Sequence, residues 1–250
     1  MKASVAFRFI FTVLFFLALP GLFAQSKLIM VTEEWPPFRI IDPGTPSGFV
    51  GIDVDLTEKL EKAIGLPIEI QRRPWARALE MMKSGEADLI TGIAHSEERA
   101  AYILYLPTPY WSVVPVFYAQ KGKGAAVLSY QDLAGKSIGY SLRSAYFEPF
   151  NSDTGLKKAG LSTEVQILKM LSLGRIDLAI GTNPNIEWDI SRLGYKGLFE
   201  KVAYQPPDRT ELFVGLSRAS PAVSLAGVMD DSIRRMVSDG TIKAIIEKYR

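Results

Sequence analysis

Trp75-Ala-Arg-Ala-Leu-Glu-Met-Met-Lys-Ser-Gly-Glu-Ala-Asp-Leu-Ile-Thr-Gly-Ile-Ala-His-Ser-Glu-Glu-Arg99 reads as helix, strand, loop and helix in one run. Pro74 suits the first turn of a helix, where its missing N–H costs nothing. Trp75, Ala78, Leu79 and Met82 recur at i, i+3, i+4 and i+7, an amphipathic stripe. Gly85 fits the left-handed residue that ends such a helix. Asp88 to Thr91 has the character of a short buried strand, and Ser96 can cap a second helix with Glu97 and Glu98 in its first turn. In open α/β sheets ligands sit where strands end and loops lead into helices. That places Thr91, Gly92 and Arg99 at the mouth of a site.

The unit returns. Gly85-Glu-Ala-Asp-Leu-Ile-Thr-Gly92 and Gly174-Arg-Ile-Asp-Leu-Ala-Ile-Gly181 share the pattern Gly-x-x-Asp-Leu-x-x-Gly, 89 positions apart. Solenoid repeats are shorter than this. One matched pair suits two α/β lobes of similar plan, although helix–Gly–strand units are common enough for coincidence.

Lys2 and Arg8 precede an apolar run from Phe9 to Leu19. The run is too short for the roughly 20 residues of a spanning helix. Pro20 and Gly21 break it, and Ala24-Gln25 resembles a cleavage point, so residues 1–24 read as a signal peptide. Leu22 is an unusual residue three before the cut, and an uncleaved anchor is the competing reading. Removing the segment leaves 27 basic against 27 acidic residues. A nucleic-acid binder would carry a basic excess. With no Cys anywhere, disulfide scaffolds, thiolate metal sites and a lipidated N-terminal Cys are excluded. His95 is the only His; neither a metal site nor a Ser/His arrangement is expected, and no Walker or dinucleotide glycine loop is present. No cofactor is implied. An exported protein follows, with a periplasm as its expected compartment.

Leu28 to Thr32 reads as the first strand, and Glu33-Glu-Trp-Pro-Pro-Phe38 as a loop stiffened by two prolines. A helix runs from about Asp53 to Ile64, and a strand from Leu66 to Gln71. Val113 to Ala119 is strand-like, with Pro115 arguing for an edge or a crossing. Lys121-Gly-Lys-Gly124 is the polar break at which the chain is expected to change lobes. Beyond it come a strand from Lys136 to Tyr140, a loop, and a helix near Tyr146. Val165 to Leu173 is helical or mixed. Asn183-Pro184 opens a helix, and Ser220-Pro221 and Thr241 open the last two. The expected plan is an α/β protein of two lobes with two crossings, residues 25–119 with 211–250 forming one lobe and 120–210 the other. Paired crossings make a hinge.

Glu34-Trp-Pro-Pro-Phe38, Gly48-Phe-Val-Gly-Ile-Asp-Val-Asp-Leu56, Gly85-Glu-Ala-Asp88, Ser96-Glu-Glu-Arg99, Leu133-Ala-Gly-Lys-Ser-Ile-Gly139, Gly174-Arg-Ile-Asp177 and Asp239-Gly240 stand in an order and spacing that is specific when taken together. With them, residues 27–250 resemble the family 3 extracellular solute-binding proteins, the periplasmic polar-amino-acid binders that serve ABC transporters. Pro74-Trp-Ala-Arg-Ala78 is similar to a divergent branch. The resemblance implies a Venus-flytrap fold with mixed sheets, closure on a small solute between the lobes, a monomer, and a permease in the inner membrane as partner. Closure is then a population shift toward the state in which both lobes touch the solute.

The resemblance implies that Arg99 grips the solute carboxylate, for which a guanidinium fork is suited. It implies that Trp35 covers the solute, a ring offering apolar area and a face for cations. Ser144 would take the place of a solute-binding Ser or Thr of the second lobe, with Arg143 a weaker candidate beside it. Thr182 stands where the family has an Asp for the α-ammonium, so an α-amino-acid solute is put in doubt; Glu33 or Glu34 would have to compensate. From the residues alone, Trp75 is either a core or a covering ring. Arg77 lies off the stripe as a solvated residue or a second anion contact. Ser96 is a cap or a contact. Two rivals stand beside solute capture. One is a dehydratase on the same scaffold, which needs a general acid in the cleft, with Glu33, Glu34 and Glu148 as candidates. The other is a soluble partner of a membrane sensor.

Overall fold

The computed structural model describes residues 27–249; the expected signal peptide lies outside them. The first lobe is built from β1 (Leu28–Thr32), the small hairpin β2 (Ile40–Ile41) and β3 (Phe49–Val50), α1 (Ile52–Ile64), β4 (Ile68–Arg72), α2 (Trp75–Ser84), β5 (Leu89–Ile93), α3 (Glu97–Ala100) and β6 (Ile103–Tyr105). The long β7 (Trp111–Gln120) leads into the second lobe, made of β8 (Ser137–Ser141), β9 (Lys157–Leu161), α4 (Glu164–Ser172), β10 (Leu178–Asn183), α5 (Asn185–Arg192) and β11 (Phe199–Lys201). Then β12 (Thr210–Ser217) returns, and α6 (Ala226–Ser238) and α7 (Thr241–Lys248) pack on the first lobe.

The strands follow the order β4-β1-β5-β12-β7-β10-β8-β9, with β6 beside β12 and β11 beside β7. β1, β4 and β5 are parallel, as are β8, β9 and β10, while β7 and β12 run against their neighbours. The two crossing strands pair with each other only at Trp111–Val113 and Thr210–Leu212. From Val114 to Ala119, β7 pairs with β10. The boundary expected at residue 119 therefore falls inside the second sheet, and the crossing lies within β7. The polar Lys121–Gly124 break is only the turn after that strand; β7 keeps its course through Pro115.

Each sheet is covered on both faces, as a largely parallel sheet requires. Leu28 and Met30 face α1, α6 and α7, whereas Val31 faces α2. In the second lobe Phe117, Leu178 and Ile180 face one cluster, and Val116, Tyr118 and Ala179 face α4 and α5. This is the two-residue period of a strand.

The matched octapeptides are equivalent structural units. Gly85 and Gly174 both have positive φ, 80° and 65°, in the turns that follow α2 and α4. Asp88 accepts the N–H of Ile29 at 2.7 Å, and Asp177 accepts that of Ser137 at 2.8 Å. In each lobe the Asp pins the start of a strand in the same sheet.

Several local expectations shift. Pro74 is the residue before α2 rather than its first. Asn183 closes β10, and α5 begins at Asn185. The helix expected near Tyr146 is a set of turns, held by the Tyr146 hydroxyl accepting the Ser141 N–H and by Asn151 accepting the Tyr146 N–H. Val165 to Ser172 belongs to α4, with Leu173 as its C-cap, and the N-cap Thr163 accepts the Gln166 N–H.

Candidate functional site

Between the lobes lies a cavity of about 540 Å³. The first lobe lines it with Glu33, Glu34, Trp35, Trp75, Gly92 and Arg99, and the second with Ser144, Thr163, Glu164, Thr182, Asp189 and Arg192. The lobes meet around it. Asn185 donates to the Pro36 carbonyl at 2.9 Å, and Arg192 pairs with Glu34 at 3.5 Å. Arg99 donates to the Arg143 carbonyl, and Arg143 forms an ion pair with Glu80. Arg143 is the one described non-glycine residue with positive φ, 61°, and that turn aims its carbonyl across the cleft.

Arg99 is 5 % exposed. Its second donation goes to the Ala94 carbonyl at 3.0 Å, and its guanidinium lies 5.9 Å from the Trp75 ring centre. Ser96 does cap α3, accepting the Arg99 N–H at 3.3 Å; this short capped turn carries Arg99 to the cleft. Trp75 belongs to the core beneath α2 and also reaches the cavity, with its indole N–H directed to the Arg143 carbonyl at 3.4 Å. Trp35 stacks on Phe38 with ring centres 4.3 Å apart.

Two expected residues are not brought to the cavity. Arg77 is exposed and pairs with Glu86 at 2.6 Å. Two residues beyond Trp75 is a turn of about 200° on a helix, so it leaves on the other face. Thr91 is fully buried and donates to Asp53 at 2.8 Å. Side chains alternate along β5, and the alternation turns Thr91 to the α1 side while Gly92 meets the cavity.

Gly92 is needed there. Its φ is 66°, and a Cβ would lie 2.7 Å from an Arg39 nitrogen and 3.1 Å from the Trp35 ring. Beneath it is a buried polar network that local sequence signals do not reveal. Asp53 accepts from Arg39, from Thr91 and, at 2.6 Å, from the Tyr110 hydroxyl. Arg39 also donates to the Glu33 carbonyl at 3.1 Å, and its guanidinium lies 5.0 Å from the Trp35 ring centre. The network braces the Glu33–Phe38 loop from below.

The cavity acids differ from one another. Glu33 accepts the Trp75 N–H at 3.0 Å, yet burial pushes its carboxyl up to about 7, against the pull of that hydrogen bond and of Arg39 and Arg72. Burial raises Asp189 as well, opposed by Arg192 at 2.8 Å. Glu164 is held well above the carboxylate range by burial and by the negative charges of Asp189 and Glu33. Sequence reasoning missed Arg39, Glu164, Asp189 and Arg192.

A raised carboxyl costs stability as pH climbs. Between pH 4.5 and 7 the unfolded chain ionises Glu33 while the folded chain does not, and above 7 the penalty is complete. Each unit is worth about 1.4 kcal/mol, so the Glu33 term is on the order of 3 kcal/mol. Denaturant unfolding of ligand-free Glu33→Gln should exceed the parent by roughly that amount at pH 8 and converge with it at pH 4.5. A difference independent of pH would refute the shift.

The matching family model is that of the bacterial extracellular solute-binding proteins, family 3, and it covers residues 28–250. The chain belongs to this family. The L-cystine-binding protein TcyJ of Escherichia coli K12 is 24 % identical over 232 residues, 90 % of this chain and 82 % of the relative. The arginine-bound amino-acid ABC transporter substrate-binding protein AbpA of Streptococcus pneumoniae superposes with a TM-score of 0.77 at 20 % identity, over 90 % of this chain and 94 % of that one. A histidine kinase sensor domain similar to periplasmic binding proteins gives the same TM-score and identity, over 90 % and 96 %. The family and the two-lobed fold expected from the motifs both hold; a shared fold by itself assigns no solute.

Proposed function

We propose that this protein captures a small carboxylated, amino-acid-like solute between its lobes in the periplasm and presents it to an ABC-type permease of the inner membrane. The observation that carries the reading is Arg99, a buried guanidinium on the wall of an interlobe cavity that Trp35 and Trp75 also line. A positive charge and two rings lining one cavity favour a solute with an anionic end and a compact body. Membership of an extracellular solute-binding family and the names of the relatives point the same way. Thr182 and Ser144 line the second-lobe side and offer hydroxyls to the solute. Arg77 and Thr91 take no part.

The dehydratase rival weakens on geometry. Glu148 is exposed and bonded to Ser152 at 2.6 Å, and Glu34 is engaged by Arg192. Glu33, titrating near neutrality, is the remaining general-acid candidate.

Isothermal titration of the mature chain against amino acids and organic acids tests the proposal, with small-angle scattering of the same samples. Saturable binding to at least one carboxylated compound should accompany a smaller radius of gyration. A flat response across both panels would dismiss it.

A further inference from the structure

Arg39 is neutralised by Asp53. Arg192 is shared by Asp189 at 2.8 Å and Glu34 at 3.5 Å, with Arg72 a further 4.0 Å neighbour of Glu34. Glu33 holds the Trp75 N–H. Glu164 has neither a hydrogen bond nor an ion pair among the described residues, and the charged groups that act on it, Asp189 and Glu33, are both acids. It lines the cavity at the first position of α4. The protein makes room for this carboxylate: Gly181 lies against it, and a Cβ at that position would overlap the Glu164 oxygen.

Glu164 is half-buried on the cavity wall, and a carboxylate drawn out of water with no cation is costly, so such groups are normally paired or hydrogen-bonded. The dipole of α4 favours an anion at its first turn, but it supplies no counter-charge. Arg99 holds the opposite sign in the same cavity.

We propose that Glu164, with Glu33 as the other cavity acid left without an ion pair among the described residues, receives a positively charged group of the solute. This rests on the proposed solute capture and deepens it: the solute is a zwitterion or bears a further cation, and an anionic carboxylic acid alone is excluded. The acid is carried by the start of α4 and not by residue 182. The Thr at 182 then no longer argues against an amino acid.

The test pairs each amino acid with its deaminated counterpart, L-glutamine with glutaramate and L-cystine with dithiodipropionate, beside L-arginine and L-histidine, in isothermal titrations of the mature chain at pH 8. At least one amine-bearing compound should bind, at least tenfold tighter than its deaminated partner where one exists. Glu164→Gln should weaken that compound at least tenfold. The same variant should melt no lower than the parent when ligand-free, because it removes a carboxyl that has no partner to lose; a structural Glu would lower the melting temperature. Deaminated acids that bind as well as the amino acids, or full affinity in Glu164→Gln, would overturn the assignment and leave solute capture standing. Silence across the whole panel would overturn both.

Discussion

Asp53→Ala should lower the unfolding free energy by about 3–5 kcal/mol, the usual cost of removing one partner from a buried ion pair. Arg39 is 2 % exposed and Asp53 is fully buried, so neither charge finds water when the other is lost. The hydroxyls of Thr91 and Tyr110 lose their acceptor at the same time, and each stranded buried donor is itself costly. In a chain of this size the melting temperature should fall by roughly 10 °C. The neighbouring acid of the same Asp-Val-Asp run is the control. Asp55 is half-buried; it meets an exposed Lys248 at 2.8 Å and accepts the Tyr249 hydroxyl at 2.9 Å, and pairs that reach water contribute about 1 kcal/mol or less. Chemical denaturation of the two alanine variants should separate them cleanly. Equal losses would mean that the Arg39–Asp53 pair is not a foundation of the loop above it.

The contrast shows what could be read from residues in order. The Gly-x-x-Asp repeat was legible because its meaning is local: a glycine ends a helix, and an acid three residues on pins a strand. The caps at Ser96 and Thr163 are local in the same way. Arg39 and Asp53 are two ordinary charges 14 positions apart, and only the path of the loop between them puts both under Gly92. Glu164 was hidden for another reason. An acid in the first turn of a helix looks like a routine complement to the dipole; its isolation appears only when β10 and α5 are packed beside it. The edge strand β9, Lys-Lys-Ala-Gly-Leu, lacks the alternation of a half-buried strand, as edge strands often do. The helix expected near Tyr146 failed because its Tyr and Asn side chains bind the local backbone and leave it in turns.

Arg99→Ala should weaken the solute found by titration by about 30-fold or more. Truncating one side of a desolvated charge pair costs about 2–5 kcal/mol of binding, and each 1.4 kcal/mol is tenfold. The structure adds a second consequence. Arg99 also donates to the carbonyls of Ala94, in its own lobe, and Arg143, in the other. Losing a charged donor to a carbonyl costs about 1.5–3 kcal/mol, so the variant should also melt a few degrees lower and its lobes should separate more readily. Arg99→Lys keeps the charge but not the fork, and a point charge cannot serve a carboxylate and two carbonyls together. It should therefore retain some affinity, between the parent and the alanine variant. Arg77→Ala removes an equal charge on the face of α2 turned away from the cavity, where Arg77 meets only Glu86 among the described ion pairs, and should bind as the parent does. If Arg77→Ala and Arg99→Ala weakened binding alike, the effect would come from the overall field of the lobe, and the guanidinium on the cavity wall would hold no special place in recognition.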